Sequence, residues 1–235
     1  FPEKTRAEIA AILDAMWDNL GRTFAEYAHF KAFASYPNPR VAVEGIEIAR
    51  AAAAAGKGVI IISSHSANWE VMSMMVYQSG LHGVAIYRKA NNPLVDAWIL
   101  RQRSRYASPD MVAKTAGSGP RVMLSALRAG KTIGLLMDQK HREGEPIPFF
   151  GRDAPTATGP ALLALRADAT LLPVTMVRTK GAHFRMTYHT PLPISRTGDR
   201  DADMRAILIE VSQSLETAIR AEPAQWLWAH NRWMD

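Results

Sequence analysis

The spacing of apolar residues along the chain predicts the first helix. Apolar side chains recur every three or four positions over residues 3–33, which indicates one long helix or two with a single apolar face. The members of this face are Ile9, Leu13, Met16, Leu20, Phe24 and Tyr27. We expect the face to pack on the rest of the domain, and contact with a lipid surface is the alternative.

Further along the chain, helical patterns alternate with short apolar runs. The run at residues 59–62, Val-Ile-Ile-Ile, is typical of a strand covered on both faces. Other strands are predicted over 84–87, 132–137, 171–177 and 183–188. Helices are predicted over 44–55 and 201–221, and after the start signals at 66–68, 92–93, 119–120 and 159–160. Such alternation predicts an α/β fold with a mainly parallel central sheet flanked by helices.

Composition and charge narrow the classes of function. With 235 residues the chain fits one α/β domain, and we expect residues 1–235 to form it. The net charge of +6 suits an acidic partner or an anionic membrane surface. The arginines are scattered among apolar residues, which argues against nucleic acid as a partner. The absence of cysteine excludes disulfides, thiolate metal sites and cysteine nucleophiles.

The chain contains no apolar run of the ~18 residues that a membrane-spanning helix requires. It starts at Phe1 without an initiator Met. We therefore expect a trimmed start, with any membrane anchor in a segment upstream of this chain.

Titratable or polar side chains follow three of the predicted strands. The first strand leads to His65, the second to Arg88 and the third to Asp138. Ligands of parallel sheets bind beyond the carboxyl ends of the strands. This edge of the sheet is therefore the predicted site.

The segment SSHSANWE places a histidine five residues before a glutamate. If His65 lies in the turn and Glu70 in the first turns of the helix, the carboxylate can fold back to one imidazole nitrogen. The other nitrogen can then take a proton, as in a catalytic triad without its serine. A histidine bonded to backbone and a solvated glutamate would be the purely structural alternative. Neither an HExxH metal motif nor a G-x-S-x-G elbow is present.

Several blocks together resemble the bacterial lipid A late (secondary) acyltransferases, within the glycerolipid and lysophospholipid acyltransferase superfamily. SSHSANWE resembles the family's His-x4-Asp/Glu signature, and YRKANNPLVDAW and RQRSR resemble its Tyr-Arg and arginine blocks. GLLMDQK with PFFGRDAPTATGPA resembles its Asp-Gln and Pro-Phe-Phe-Gly blocks, and QWLWAHNRW its C-terminal ending. The blocks occur in order over nearly the whole chain.

This resemblance implies a fold like that of glycerol-3-phosphate acyltransferase and specific residue roles. His65 would be the general base and Glu70 its partner carboxylate, while Arg103, Asp138 and Arg88 would bind substrate. The acyl donor would be acyl carrier protein or coenzyme A, the acceptor a lipid A precursor, and no metal or other cofactor is implied. The location would be the cytoplasmic face of the bacterial inner membrane.

The residue pattern alone also suggests roles for Arg103 and Asp138. Arg103 continues a helical stripe with Val95 and Ile99, so its guanidinium needs a partner, either a substrate anion or a structural carboxylate such as Asp138. Asp138 ends an apolar strand, and we expect it to position Arg103 or a loop. Backbone N–H groups at the helix start after His65 are candidates for holding a reaction oxyanion.

The sequence thus predicts an acyltransferase in which His65 deprotonates a lipid hydroxyl that attacks an acyl thioester. Acylation of another glycolipid or phospholipid is an alternative for the acceptor. A lipid or thioester hydrolase that uses the same pair on water, and a non-catalytic lipid-binding protein, are the rival functions.

Overall fold

The computed structural model describes residues 1–87, 90–107, 111–113 and 119–233. The strands are β1 (Val41–Glu44), β2 (Val59–Ser63), β3 (Gly83–Tyr87), β4 (Met111–Ala113), β5 (Thr132–Leu136), β6 (Glu145–Phe149), β7 (Arg152–Thr156), β8 (Thr170–Lys180) and β9 (His183–Tyr188). The helices are α1 (Arg6–Glu26), α2 (Ile46–Ala54), α3 (Trp69–Gln78), α4 (Pro93–Tyr106), α5 (Gly119–Arg128), α6 (Gly159–Ala167) and α7 (Arg200–Ala221), with 3₁₀ turns at Tyr27–Phe33 and Pro223–Gln225.

The main sheet has seven strands in the order β1-β9-β8-β2-β5-β3-β4. Strands β8, β2, β5, β3 and β4 run parallel to one another. Strand β9 runs antiparallel to β8, and β1 pairs parallel with β9. The predicted α/β fold with a mainly parallel sheet is confirmed.

Strand β2 is buried on both sides, as its continuous apolar run predicts. Alternate residues point to opposite faces of a strand. Ile61 belongs to the core cluster that contains Met74 and Met75 of α3. Ile60 and Ile62 belong to the other cluster, with Leu208 and Val211 of α7 among its members. Helices therefore cover both faces of the sheet at its centre.

Helix α1 differs from the prediction in the face that it buries. It begins with a capping box between Thr5 and Glu8, and its buried residues are Met16, Asn19, Thr23 and Glu26. Three of these four are polar. Ile9, Leu13 and Phe24, predicted to pack on the domain, are instead exposed, as is Trp17. Helix α1 thus attaches to the sheet mainly through hydrogen bonds and turns apolar side chains outward.

Helix α4 packs against the 3₁₀ turn that follows α1 and is similarly exposed. Asn92 caps it by accepting hydrogen bonds from the N–H groups of Leu94 and Val95, as the Asn-Pro signal predicts. No residue of this helix is buried in the part of the chain that the structure describes. Leu94, Val95 and Trp98 are exposed, and the ring of Trp98 lies 5.4 Å from that of Tyr27.

The sequence pattern missed strands β1 and β4 and the β6–β7 hairpin, which forms a separate two-stranded sheet. Strand β1 has four residues and β4 three, too few for a clear period of two. Strands β6 (EPIPF) and β7 (RDAPT) contain prolines, which argue against a strand in sequence-based reasoning. None of the helices in the described ranges has the length and apolar character needed to cross a membrane.

Candidate active site

His65 and Asp138 lie side by side at the carboxyl edge of the sheet. Strands β2 and β5 are parallel neighbours, and Ser63 is paired with Leu136 in their register. Each candidate residue follows its strand by two positions, so the register brings the two side chains together. Asp138 Oδ1 lies 2.8 Å from His65 Nδ1. The prediction that strand ends gather titratable groups is therefore met by this pair.

Asp138 is held by donors at both of its oxygens. Oδ2 accepts from the backbone N–H of His65 at 2.8 Å and from the indole N–H of Trp226 at 2.7 Å. The side chain is 2% exposed. Burial raises its pKa, but the charge of His65 and the hydrogen bonds from His65 and Trp226 outweigh burial, so the pKa of Asp138 is lowered. The carboxylate therefore stays ionised beside the imidazole at neutral pH.

The expected contact between Glu70 and His65 is corrected by the structure. Glu70 accepts hydrogen bonds from Nε and Nη2 of Arg103, and its Oε1 accepts from the indole N–H of Trp69 at 3.1 Å. Glu70 lies in the first turn of α3, which directs its carboxylate toward α4. The carboxylate on His65 is Asp138, because the register of β2 and β5 places it there. Asp138 consequently does not pair with Arg103.

The Arg103–Glu70 pair is largely buried, with side chains 22% and 5% exposed. Burial lowers the pKa of Arg103, but the bonds and charge of Glu70 outweigh it and raise that pKa. Burial, followed by the charge of Glu70, raises the pKa of the adjacent Tyr27 hydroxyl. These three groups form a tight polar cluster under α4 and fix the start of α3.

The loop between β2 and α3 uses most of its own backbone donors. Asn68 caps α3 by accepting from the N–H groups of Glu70 and Val71. The N–H groups of His65, Ser66 and Ala67 donate to Asp138, to Ser64 O and to Gln225 O. The expectation that N–H groups of this helix start would hold an oxyanion is therefore wrong for these five donors, because each is already engaged.

A shallow, narrow pocket lies beside the imidazole. Its lining combines apolar and polar side chains from α1, α3 and the C-terminal segment: Met16, Asn19, Leu20, His65, Trp69, Gln225, Trp226 and Leu227. The ring of Trp69 meets that of His65 edge to face, with 5.2 Å between centroids. His65 is 18% exposed, and Nε2 makes no hydrogen bond within the described ranges. That nitrogen is available to an incoming group.

Comparison with known proteins places the chain in a family. The family described as bacterial lipid A biosynthesis acyltransferase matches residues 1–235. The chain belongs to this family. A lipid A biosynthesis acyltransferase of Haemophilus influenzae is 26% identical over 182 residues, which cover 74% of this chain and 55% of that protein. The resemblance inferred from the sequence blocks is therefore confirmed.

Two other relatives of this family member have different named activities. The lipid A biosynthesis lauroyltransferase of Escherichia coli is 26% identical, covering 99% of this chain and 74% of the relative. A phosphatidylinositol mannoside acyltransferase of Mycobacterium tuberculosis is 26% identical, covering 82% of this chain and 60% of the relative. The chain thus spans between about half and three quarters of the length of these relatives.

The C-terminal block of this acyltransferase family member packs against the loop of His65 and against Asp138. Trp226 is 1% exposed and pairs with the His65 loop through a bridge to Ser66. His230 Nε2 accepts from the N–H of Lys140, two residues after Asp138, and burial, which outweighs the charge of Asp138, lowers the pKa of His230. Arg232 donates to Pro155 O, and burial lowers the pKa of Arg232 to about 10. His230 and Arg232 thus tie the C-terminal block to the segments that follow β5 and β7.

The remaining sequence candidates fall outside the site or outside the described residues. Phe149 of the Pro-Phe-Phe-Gly block is 1% exposed and packs in the core. Arg88 lies outside the described residues. No group of three or more His, Asp or Glu residues in the described ranges is arranged to hold a metal ion.

Proposed function

We propose that the protein is an O-acyltransferase that moves a fatty acyl chain from an acyl thioester to a hydroxyl group of a membrane lipid. The observation that carries this proposal is the His65–Asp138 pair at the carboxyl edge of the sheet, where His65 lines a shallow pocket. Membership of the acyltransferase family supports the same reaction class.

The chemistry follows from the orientation of the imidazole. The Asp138 carboxylate accepts a hydrogen bond from Nδ1–H of His65, which fixes the tautomer and leaves the lone pair of Nε2 free to act as a base. Nε2 removes the proton of the acceptor hydroxyl while that oxygen attacks the thioester carbonyl. The tetrahedral intermediate then collapses, the C–S bond breaks, and the imidazolium returns its proton to the departing thiolate. Asp138 stabilises the imidazolium between these two steps. These steps require no metal or redox cofactor.

Glu70 and Arg103 have a supporting role in this proposal. Their bidentate contact joins the first turn of α3 to α4, and Trp69, beside both Glu70 and His65, lies between them and the imidazole. Arg103 donates to Glu70 through Nε and Nη2 and also contacts the Tyr27 hydroxyl, and in this proposal its positive charge attracts an acceptor phosphate. Substrate binding by Arg103 and Arg88 remains part of the proposal.

The proposed acceptor is a lipid A precursor, because the family and two of the relatives carry that name. The similarity to a phosphatidylinositol mannoside acyltransferase favours a glycolipid as the second candidate. The proposed donor is acyl carrier protein or coenzyme A. The net charge of +6 suits both an acidic carrier protein and an anionic membrane.

The proposed lipid contact is an apolar surface patch on α1 and α4, defined by seven exposed side chains: Ile9, Leu13, Trp17, Phe24, Leu94, Val95 and Trp98. Phe24 and Trp98 meet at Tyr27, with ring centroids 6.4 and 5.4 Å away. Met16 and Leu20 of the same helix line the pocket. Seating this patch on the cytoplasmic leaflet of the bacterial inner membrane would bring lipid hydroxyls to the pocket.

The decisive experiment incubates the purified protein with a radiolabelled acyl thioester and lipid acceptors, and separates the products. Label in the acceptor lipid supports the proposal, and the added mass identifies the chain. Release of free fatty acid without lipid labelling would assign a hydrolase instead. His65→Ala should reduce transfer at least about 10²-fold, the typical contribution of a general base. An unchanged rate in this variant would favour a non-catalytic lipid-binding protein.

Membrane contact is tested separately with vesicles of anionic phospholipid. Trp17→Ser should weaken cosedimentation with the vesicles, because Trp17 is the most exposed tryptophan of the patch at 57%. Its rate with a detergent-dispersed acceptor should match that of the wild-type protein. Equal cosedimentation of the two proteins would contradict the assignment of the patch.

A further inference from the structure

The loop that carries His65 is also fastened by a buried polar network that the reaction itself does not use. Glu26, the last residue of α1, is 8% exposed. Nη1 and Nη2 of Arg178, from β8, donate to its two carboxylate oxygens. The side-chain amide of Asn68 donates to Oε2 of Glu26 at 2.7 Å.

Glu26 determines which way the Asn68 amide faces. The amide has donors on Nδ2 and an acceptor at Oδ1. Because Nδ2 is held by the Glu26 carboxylate, Oδ1 points to the N–H groups of Glu70 and Val71 and caps α3. Asn68 has no exposed surface, so water cannot replace either contact.

The same network holds the residue before Asn68 in an uncommon conformation. Ala67 has φ of +50°, a left-handed value that is unfavourable for alanine. Its carbonyl accepts from Thr23 Oγ1 at 2.8 Å and from Asn19 Nδ2 at 3.0 Å. Asn19 Oδ1 in turn accepts from Nε of Arg178 at 2.8 Å. Arg178 therefore supports both Ala67 and Asn68, which follow His65 by two and three positions.

Arg178 reaches the other member of the His65–Asp138 pair through its backbone. Its N–H donates to Gln225 Oε1 at 2.7 Å, and its carbonyl accepts from Gln225 Nε2 at 3.1 Å. The next residue, Trp226, donates to Asp138. Arg178 thus supports both the loop that carries His65 and the segment that carries Trp226, the hydrogen-bond donor to Asp138.

We propose that Glu26 and Arg178 are positioning residues that hold the His65 imidazole in register with Asp138; this rests on the proposed function. A buried ion pair needed only for stability has no requirement to contact this loop, and apolar residues often replace such pairs without loss. Here Glu26 accepts directly from Asn68, and Arg178 supports Ala67 through Asn19, so the pair holds both residues that shape the turn after His65. A misplacement of about 1 Å at a reacting group can cost about 10²-fold in rate.

The test compares Glu26→Gln with a matched control, Asp203→Asn. Asp203 is also buried and accepts hydrogen bonds from Thr197 and Ser195, but it belongs to α7 and contacts none of the loop residues in the described structure. Glu26→Gln should lower kcat about 10- to 100-fold with KM for either substrate within about twofold. Asp203→Asn should lower Tm and leave kcat, measured well below Tm, unchanged.

A spectroscopic readout separates this proposal from the proposed function. The Nδ1 proton of His65, hydrogen-bonded to Asp138, should give a downfield NMR signal that disappears in His65→Ala. Glu26→Gln should weaken or split this signal, whereas Asp203→Asn should not. This holds even if the wild-type protein transfers no acyl group, in which case the positioning role stands and the proposed function fails.

Two results would overturn the positioning role. One is a Glu26→Gln protein with lowered Tm but wild-type kcat and an unchanged Nδ1 signal. The other is an equal loss of kcat in Asp203→Asn, which would attribute the effect to general destabilisation. If Glu26→Gln does not fold, Thr23→Val serves in its place, because it removes one hydrogen bond to Ala67 O while keeping side-chain shape. It should lower kcat about 3- to 10-fold and alter the same signal.

Discussion

Replacing Asp138 by asparagine should disable the base without removing its support. The amide oxygen can occupy the position of Oδ2 and still accept from the N–H groups of His65 and Trp226. The amide NH2 then faces His65 Nδ1, where Oδ1 stood at 2.8 Å. Nδ1 must become an acceptor, which moves the imidazole proton to Nε2 and leaves that nitrogen unable to take a proton.

The size of the loss can be estimated from these two effects. A wrong tautomer and the loss of the charge that stabilises imidazolium cost about 10⁴-fold in an Asp→Asn change within a catalytic triad. At 1.36 kcal/mol per tenfold change in rate, this corresponds to about 5 kcal/mol of transition-state stabilisation. We therefore expect kcat for acyl transfer to fall by three to four orders of magnitude, that is, about 10³- to 10⁴-fold.

The assay is transfer of labelled acyl chain to the lipid acceptor at saturating substrates, with Tm measured for each protein. Asp203→Asn provides the control for removal of a buried carboxylate at a distance from the site. A kcat for Asp138→Asn within about tenfold of wild type would refute the assignment of Asp138 as the partner of the base.

Four other perturbations have defined outcomes. Trp226→Phe removes one hydrogen bond to Asp138 and replaces the indole by a smaller aromatic ring, and should lower kcat about 3- to 10-fold in the transfer assay without altering KM. Arg103→Lys cannot reproduce the bidentate contact to Glu70 and should lower the free energy of unfolding by about 1–3 kcal/mol, measured in urea; an unchanged midpoint would contradict it. Gly58→Ala should lower Tm in calorimetry, since Gly58 has φ of +74° and an added Cβ would lie 2.5 Å from Leu127 O. Because the folded-state pKa of Asp138 is lowered, its stabilising contribution is complete above the ordinary aspartate pKa and is lost as pH falls through the lowered value; the Tm difference between wild type and Asp138→Asn should shrink over that acid range.

The order of strands and helices could be read from the sequence because the signals are local. The β2 run is apolar at every position, and Asn92-Pro93 starts α4 as its cap and first residue. The outward apolar face of α1 could not be predicted, because periodicity reveals a face but not what covers it. In this helix the polar stripe of Asn19, Thr23 and Glu26 is buried through bonds to residues far along the chain.

A contact between His65 and a carboxylate was predicted from the sequence, but the carboxylate in contact is Asp138 and not Glu70. Glu70 is near His65 in sequence, and this proximity favoured it as the partner. Asp138 becomes the partner because β5 lies next to β2 in the sheet, although β3 and β4 come between them along the chain. A sequence-level signal for this exists: both His65 and Asp138 follow their strands by two positions. Only knowledge of which strands are neighbours makes that signal usable.

The hydrogen bond from Trp226 to Asp138 affects the order in which the site can form during translation. During translation His65 and Asp138 leave the ribosome well before Trp226, whose N–H binds Asp138, and before Leu227, whose N–H binds the carbonyl of His65. A nascent chain that has completed the central strands still has a buried carboxylate short of a donor and a histidine loop without its cover. The contacts that hold the His65–Asp138 pair are therefore complete only after the C-terminal block has been synthesised.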